Sequence, residues 1–215
     1  RNSHFISTIV AVVGVVSAAC APLGPARTGG ATPAPASQAR IGGILRVGQA
    51  ASDVGTVDPH YTGGTQDRAL DDMVFNGLLR FKPGDSTSFE PDLATSMPGP
   101  ITDAAGKQVW TFYLRKGVLC HPSDGVPAYE LTAEDVVYSL QKAANKDTSA
   151  FASEYVGMTF GSVDPYTVTV TMEKPLSTAM FYPRVANYSG GYIVCKKAAE
   201  ALGPDERQLE SPDSP

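Results

Sequence analysis

Asp53, Asp58, Asp71 and Asp72 are the carboxylates close enough in sequence to raise the question of a general acid–base pair. Asp71 and Asp72 are adjacent and fall on the polar side of an expected helix, where charges are ordinarily solvated, so no catalytic pair is expected. His4, His60 and His121 lack the i, i+4 or clustered spacing of a metal centre. Ser139 and Ser153 have no G-x-S-x-G context, and Gly42-Gly43 does not complete a phosphate loop. Cys20, Cys120 and Cys195 form no C-x-x-C pair, so neither zinc nor a redox motif is indicated. With no reactive constellation, no metal and no cofactor in view, the expectation is a protein that is not an enzyme.

The chain has 215 residues and a hydrophobic fraction of 42%, enough to bury a core in one domain or two small ones. The formal charge of −5 comes without a long run of either sign, which argues against nucleic acid as a partner. Phe5 to Ala19 is a nearly unbroken apolar run, shorter than the roughly 20 residues that span a bilayer as a helix. It reads as a secretory signal over residues 1–19. Ser17-Ala-Ala-Cys20 resembles a bacterial lipobox, which would make Cys20 a lipidated N-terminus and the chain membrane-anchored; Ser17 departs from the usual aliphatic residue. Cleavage before Ala19 or Cys20 without lipid is the alternative. Residues 20–41 hold Pro, Gly, Ala, Ser and Thr with little to bury, the composition of a flexible tether.

From Gly42 the sequence alternates strand and helix signals, giving an α/β (mixed α+β) class. Ile44 to Val47 reads as a short strand. In Thr56-Val-Asp-Pro-His60, Pro59 steers Asp58 away from helix, predicting an extended turn. Leu70, Met73, Val74 and Leu78 recur at helical spacing after Thr65, with Gly77 as the stop. Leu78 to Phe81 continues as a strand turned by Lys82-Pro-Gly84. Trp110, Phe112 and Leu114 share one face of a strand, with Thr111 and Tyr113 on the other. Gly117 and Gly125 bracket a second extended piece. Thr132-Ala-Glu-Asp135 is a helix start, and Val136, Val137, Leu140 and Ala144 supply its buried face. Tyr166 to Met172 alternates Thr with apolar residues as a half-buried strand does, and Lys174-Pro175 ends it. Cys120 and Cys195 have nothing in sequence to bring them together, and buried free thiols are the expectation.

These pieces occur in a telling order: Gly43-Ile-Leu-Arg-Val-Gly48, Thr56-Val-Asp-Pro-His60, Val74-Phe-Asn-Gly-Leu-Leu-Arg-Phe81, Glu90-Pro-Asp-Leu-Ala94, Trp110-Thr-Phe-Tyr-Leu-Arg-Lys-Gly117 and Leu131-Thr-Ala-Glu-Asp-Val-Val-Tyr-Ser-Leu140. Together they resemble the N-terminal part of the extracytoplasmic solute-binding proteins of ABC importers, in the peptide-binding class, solute-binding family 5. The resemblance implies a periplasmic-binding-protein-like type II fold, incomplete here. Residues 42–75 would be the first segment of lobe I, 76–192 the smaller inserted subdomain, and 193–215 a truncated return to lobe I with a disordered tail. The second lobe would be missing, and strands of lobe I would be left with exposed edges.

The same resemblance implies a function: capture of an oligopeptide, dipeptide or other small solute outside the cytoplasmic membrane, and delivery to the transmembrane permease subunits. Main-chain contacts to the ligand would come from the loop after the Asp-Pro-His turn, here Thr62, Gly63, Gly64 and Thr65, with glycines admitting a ligand backbone as an added strand. A plain loop with Thr65 as a helix cap is the local alternative. Phe151 matches a position where relatives place an aromatic residue against the ligand; an ordinary core aromatic is the alternative. The acidic residue that binds a peptide's amino group in relatives has no counterpart here, and this chain is expected to be impaired. The rival function is a non-transport cell-surface interaction module, or an inactive remnant.

Overall fold

The computed structural model describes residues 42–44, 46–48, 56–123, 125–188 and 190–202. The leader, tether, Cys20, Asp53 and polar tail lie outside these residues. The chain divides into two compact units, Arg1–Arg46 and Val47–Pro215, and every helix and strand described belongs to the second. The strand expected around Ile44 is not found: its described residues have no regular structure, with Ile44 and Val47 85% and 71% exposed. A strand exists only through a paired neighbour, and among the described residues none reaches it.

The elements run α1 (Thr65–Val74), β1 (Asn76–Gly77), β2 (Leu79–Phe81), β3 (Phe89–Pro91), β4 (Pro100–Thr102), β5 (Gln108–Tyr113), β6 (Leu119–Cys120) and β7 (Tyr129–Glu130). They continue as α2 (Ala133–Ala144), a 3-10 turn (Ala152–Tyr155), β8 (Met158–Asp164), β9 (Thr167–Met172), α3 (Thr178–Val185), β10 (Tyr192–Ile193) and α4 (Lys196–Leu202). The core is an antiparallel sheet in the order β4-β5-β9-β8. Its register sets Trp110 opposite Val170 and Phe112 opposite Val168, so the apolar residues of both strands share the buried face. Period-2 alternation explains why Thr167, Thr169 and Thr171 take the other face.

α3, which the sequence did not reveal because Pro183 interrupts it, lays Phe181 flat on Trp110 with ring centroids 4.2 Å apart. Gln108 steadies the link into α3, accepting Leu176 N–H at 2.9 Å and donating to Leu176 C=O at 2.9 Å. α2 packs on β8 and β9 through Val136 and Leu140, both fully buried. It starts as the sequence predicts: Thr132 and Asp135 form a capping box, the Asp135 carboxylate accepting Thr132 N–H at 2.9 Å. The other Asp135 oxygen accepts the Tyr129 hydroxyl at 2.6 Å and Lys196 N–H at 3.0 Å, which joins α4 to the head of α2.

β1 pairs with β10 in the register Asn76–Ile193 and Gly77–Tyr192, so the chain between them leaves and returns on one short ladder. Gly77 does not stop α1, which ends at Val74 with Phe75 N–H bonded to Asp71 C=O at 2.8 Å. Gly77 is required for close approach instead: a Cβ there would stand 2.7 Å from the backbone of Ala186 and Asn187. A disulfide joins Cys120 to Cys195, with Cα atoms 5.9 Å apart. This corrects the expectation of free thiols. The pairing spans 75 residues of sequence, and local spacing does not reveal that β6 and the turn after β10 meet.

α1 is buried on the face opposite to the expected one. Met73 and Val74 are 74% and 59% exposed and Leu70 is half-buried, whereas Asp67 and Asp71 are buried. Asp72 is exposed yet bound, accepting Tyr192 O–H at 2.6 Å and Asn187 Nδ2–H at 2.9 Å. The acidic side faces inward because the turn before α1 and the residues Asn187 and Tyr192 lie on that side, leaving Met73 and Val74 exposed. Asp71 has no hydrogen-bond donor within bonding geometry on either carboxylate oxygen, with only the Thr62 hydroxyl close by.

The turn is held by a buried ion pair. Lys142 of α2 donates to Asp58 Oδ2 at 2.7 Å, and Asp58 Oδ1 accepts His60 N–H at 3.0 Å. His60 Nε2 donates to Tyr192 C=O at 3.0 Å, which fixes the neutral tautomer and leaves Nδ1 an acceptor without a donor. Burial first, then the Lys142 charge, lower the His60 pKa from 6.5 to about 4. Burial raises Asp71 from 3.8 to about 6, aided by the charges of Asp67, Asp72 and Asp58.

These shifts oppose each other in acid. Between pH 6.5 and 4 the unfolded chain binds a proton at His60 that the folded chain refuses, so stability falls as pH falls. Between pH 6 and 3.8 the folded chain keeps a proton on Asp71 that the unfolded chain releases, so stability rises as pH falls. Asp71→Asn is expected to stabilise the protein at pH 7 by about 1 kcal/mol after allowance for screening and for the unpaired amide, the gain vanishing near pH 4. Urea unfolding across that range checks it, and a gain that persists at pH 4 would contradict it. For the disulfide, a closed loop of 75 residues is worth about 4 kcal/mol in chain entropy. Cys120→Ala/Cys195→Ala is therefore expected to lower Tm by about 10 °C; an unchanged Tm in differential scanning calorimetry would refute that.

Candidate functional site

The loop Thr62, Gly63, Gly64 and Thr65 emerges directly from the pinned turn and ends as the first residue of α1. Its approach is tied down at several points. Tyr61 N–H bonds to Asp58 C=O at 3.0 Å, the Tyr61 hydroxyl donates to Asp147 C=O at 2.7 Å, and Ala150 N–H bonds to His60 C=O at 2.9 Å. Lys142 Nζ also donates to Thr148 C=O at 3.3 Å. The segment 147–150 that follows α2 is thus bonded to the turn along its length, and both are held by one lysine.

Within the loop the side chains diverge. Thr62 is 1% exposed and its hydroxyl donates to Pro59 C=O at 3.2 Å, so it braces the turn from inside. Gly63 and Thr65 are exposed. The N-cap of α1 is Gly64, not Thr65, and no side chain caps the helix. Neither glycine has a positive φ. A Cβ on Gly63 would meet nothing within 4 Å, and one on Gly64 would meet only the flexible end of Gln66. The fold therefore gives no internal reason, steric or conformational, for glycine at position 63, and at position 64 only the flexible Gln66 side chain would have to move aside.

Phe151 lies half-buried at the head of the 3-10 turn, its N–H bonded to Ser149 Oγ at 3.0 Å, and it packs against the core. A Cβ on Gly190 would stand 3.2 Å from Phe151 Cβ, so the backbone at Gly190 passes close to it. Arg68, one residue beyond the first turn of α1, links these pieces. Its guanidinium carbon lies 4.6 Å from the centroid of the Tyr188 ring and 6.0 Å from that of Phe151, and Nη1 donates to the Tyr188 hydroxyl at 2.7 Å. Thus Phe151 and the loop, far apart in sequence, are connected through a residue that the sequence did not single out. Its signal, a lone arginine on a helix, is indistinguishable from a solvated surface charge.

Concavities lie elsewhere. An apolar groove of about 320 Å³ is lined by Phe75, Leu93, Leu119, Leu131, Ile193 and Leu202 beside the disulfide, and a polar one of about 810 Å³ includes Asn76, Arg80, Asp85 and Asp92. Neither is lined by residues 62–65 or Phe151; of these, Gly63 and Thr65 are exposed. Among the described residues no group of three or more His, Cys, Asp and Glu is placed to hold a metal ion. Among them, too, no helix is long and apolar enough to cross a membrane.

Residues 88–208 match the family described as bacterial extracellular solute-binding proteins, family 5 middle. Over 149 residues the chain is 32% identical to di/tripeptide-binding protein 4 of Pseudomonas aeruginosa, covering 61% of this chain and 27% of that protein. It is 28% identical over 171 residues to the periplasmic oligopeptide-binding protein OppA of Escherichia coli, covering 71% of this chain and 29% of the relative. Among solved structures it resembles the binding protein MoaA of A. tumefaciens R10, in complex with mannopinic acid, at 36% identity and a TM-score of 0.62, covering 73% of this chain and 30% of that one. The peptide-bound OppA of Listeria monocytogenes, 16% identical with a TM-score of 0.55, shares the fold. The chain thus spans between 16% and 29% of the length of the curated relatives it matches. A mixed α/β fold shared with periplasmic solute-binding proteins, and a family match over more than half its residues, establish that the chain belongs to the bacterial extracellular solute-binding proteins of family 5.

Proposed function

We propose that this chain supplies one wall of the ligand site of an ABC-type import system's solute-binding component. In this proposal it acts outside the cytoplasmic membrane, anchored through a lipid on Cys20, and passes its ligand to a membrane permease. The ligand class is a short peptide or a similar small solute, in keeping with relatives named for dipeptides, tripeptides and oligopeptides and with a structural neighbour holding mannopinic acid. No bond is broken; capture is by enclosure. Residues 42–75 and 193–215 belong to lobe I and 76–192 to the smaller subdomain. The pairing of Asn76 with Ile193, at the points where the smaller subdomain would begin and end, supports that division.

The observation that carries the reading is a pair of glycines, Gly63 and Gly64, that no positive φ demands and of which Gly63 would have open space for a side chain, on a loop tied to the turn and exposed at Gly63 and Thr65. Glycine there leaves room for another main chain to lie alongside, with Thr65 beside it as a polar contact and Thr62 as the internal brace. Phe151 then offers an apolar edge near the same surface. A ligand meeting this wall alone buries little of its surface, and association entropy is barely offset. Affinity in the millimolar range, about 4 kcal/mol, is expected for the 215-residue chain.

Titrating the isotopically labelled chain with trialanine, followed by amide NMR, tests this. Shifts confined to Gly63, Gly64 and Thr65 and their surroundings are expected. Gly63→Val should abolish them while leaving stability within about 0.5 kcal/mol, since the new side chain enters open space. An absence of loop shifts, or shifts undiminished in Gly63→Val, would overturn the assignment.

A further inference from the structure

Arg68 stands apart from the other basic side chains around it. Lys142 is matched with Asp58, Lys146 with Asp147 and Arg184 with Glu154. Among the described residues no carboxylate lies within ion-pair distance of Arg68. Asp72, one turn further along α1, is engaged by Tyr192 and Asn187 instead. The guanidinium is nevertheless held in place. The Tyr188 ring lies beneath it at 4.6 Å and Phe151 beside it at 6.0 Å, and the Tyr188 hydroxyl takes Nη1. Nε is shut off from water without any acceptor. A buried donor left unpaired is unfavourable by about 1–3 kcal/mol, so this placement is not one a freely solvated arginine would adopt. The arrangement is that of a cation orientated by aromatic surfaces, with Nη1 on the Tyr188 hydroxyl.

Arg68 also follows the candidate ligand loop by three residues, and one of its flanking rings is Phe151, the other candidate ligand contact. We propose that Arg68 selects for a carboxylate on the bound solute. The planar guanidinium would donate from its Nη end to the carboxylate oxygens, a charge-assisted pairing that lysine could not reproduce in the same geometry. Tyr188 and Phe151 position the cation rather than touch the anion, which lowers the ordering cost of forming the contact. This rests on the loop assignment and adds to it a chemical class: solutes bearing an unblocked acid, among them peptides with a free C-terminus.

The test compares trialanine with trialanine amide, which differ only in the acid, by NMR titration of the whole chain while following the Arg68 Nε–H signal and the Gly63 to Thr65 amides. The acid is expected to bind about tenfold more tightly than the amide and to move the Arg68 signal, which the amide leaves in place. Arg68→Met should bring the two affinities together, and Arg68→Lys should keep part of the difference; a purely structural arginine would alter stability without altering that ratio. Equal affinities for acid and amide, with loop shifts from both, would overturn the role of Arg68 and leave the loop assignment standing. A silent loop with both ligands would overturn the two together.

Discussion

The ion pair between Asp58 and Lys142 is the constraint on which the presentation of the candidate site depends. Its partners are 4% and 6% exposed and 84 residues apart in sequence. A buried pair of this kind adds little net stability, because desolvating two charges offsets most of their attraction. Its value is positional. Removing one partner strands the other's charge in the interior, at a cost of about 3–5 kcal/mol, so alternative placements of the turn are strongly disfavoured. Every further contact of the turn builds on that fixed point: the Asp58 carboxylate orders the His60 amide, His60 reaches Tyr192, and Tyr61 and His60 engage the segment after α2. α2 itself is seated on the sheet by Val136 and Leu140. The loop at residues 62–65 is therefore referenced to α2 through Lys142, and to β10 through the His60 contact with Tyr192.

The same packing accounts for the unusual interior of α1. Once the turn, Asn187 and Tyr192 occupy one side of the helix, Asp67 and Asp71 face inward whatever their preference for water, and Met73 and Val74 face outward. Asp71 carries the penalty, with a raised pKa and no donor within bonding geometry. His60, also buried and lacking a partner for Nδ1, is held neutral beside the ion pair. Local stability has been sacrificed around the candidate site, while the sheet, where Trp110, Phe112, Phe181 and Val170 interlock, retains a conventional apolar core.

The legible parts of the fold are those encoded by short periods. Alternation identifies β5 and β9 and the face each buries, and the Thr132–Asp135 signal places the start of α2. Lys82-Pro-Gly84 turns the chain as expected, with Gly84 at φ 79° and Asp85 N–H bonded to Lys82 C=O. What periodicity could not supply is which partner covers which face. Leu70, Met73 and Val74 form a genuine apolar stripe, yet the side buried was decided by residues far along the chain. The Asp58–Lys142 pair, the Cys120–Cys195 bridge and the role of Arg68 escaped for the same reason, because each depends on a contact between distant segments. α3 escaped because Pro183 masks a helix that tertiary packing of Phe181 sustains. At the candidate site the order of motifs drew attention to residues 62–65, but only the structure separates the inward Thr62 from the exposed Gly63 and Thr65.

Native-state hydrogen exchange on Asp58→Asn/Lys142→Met, which removes the ion pair without stranding a charge, tests the account most directly. Exchange at Tyr61 and Ala150, whose amides tie the turn to itself and to the segment after α2, is predicted to accelerate at least about tenfold, with β5 and β9 staying as protected as in the unaltered chain. Unchanged protection at Tyr61 and Ala150 would show that the turn holds its place without the pair. Equal loss across the turn and the sheet would show that the pair supports the fold as a whole and not the loop in particular.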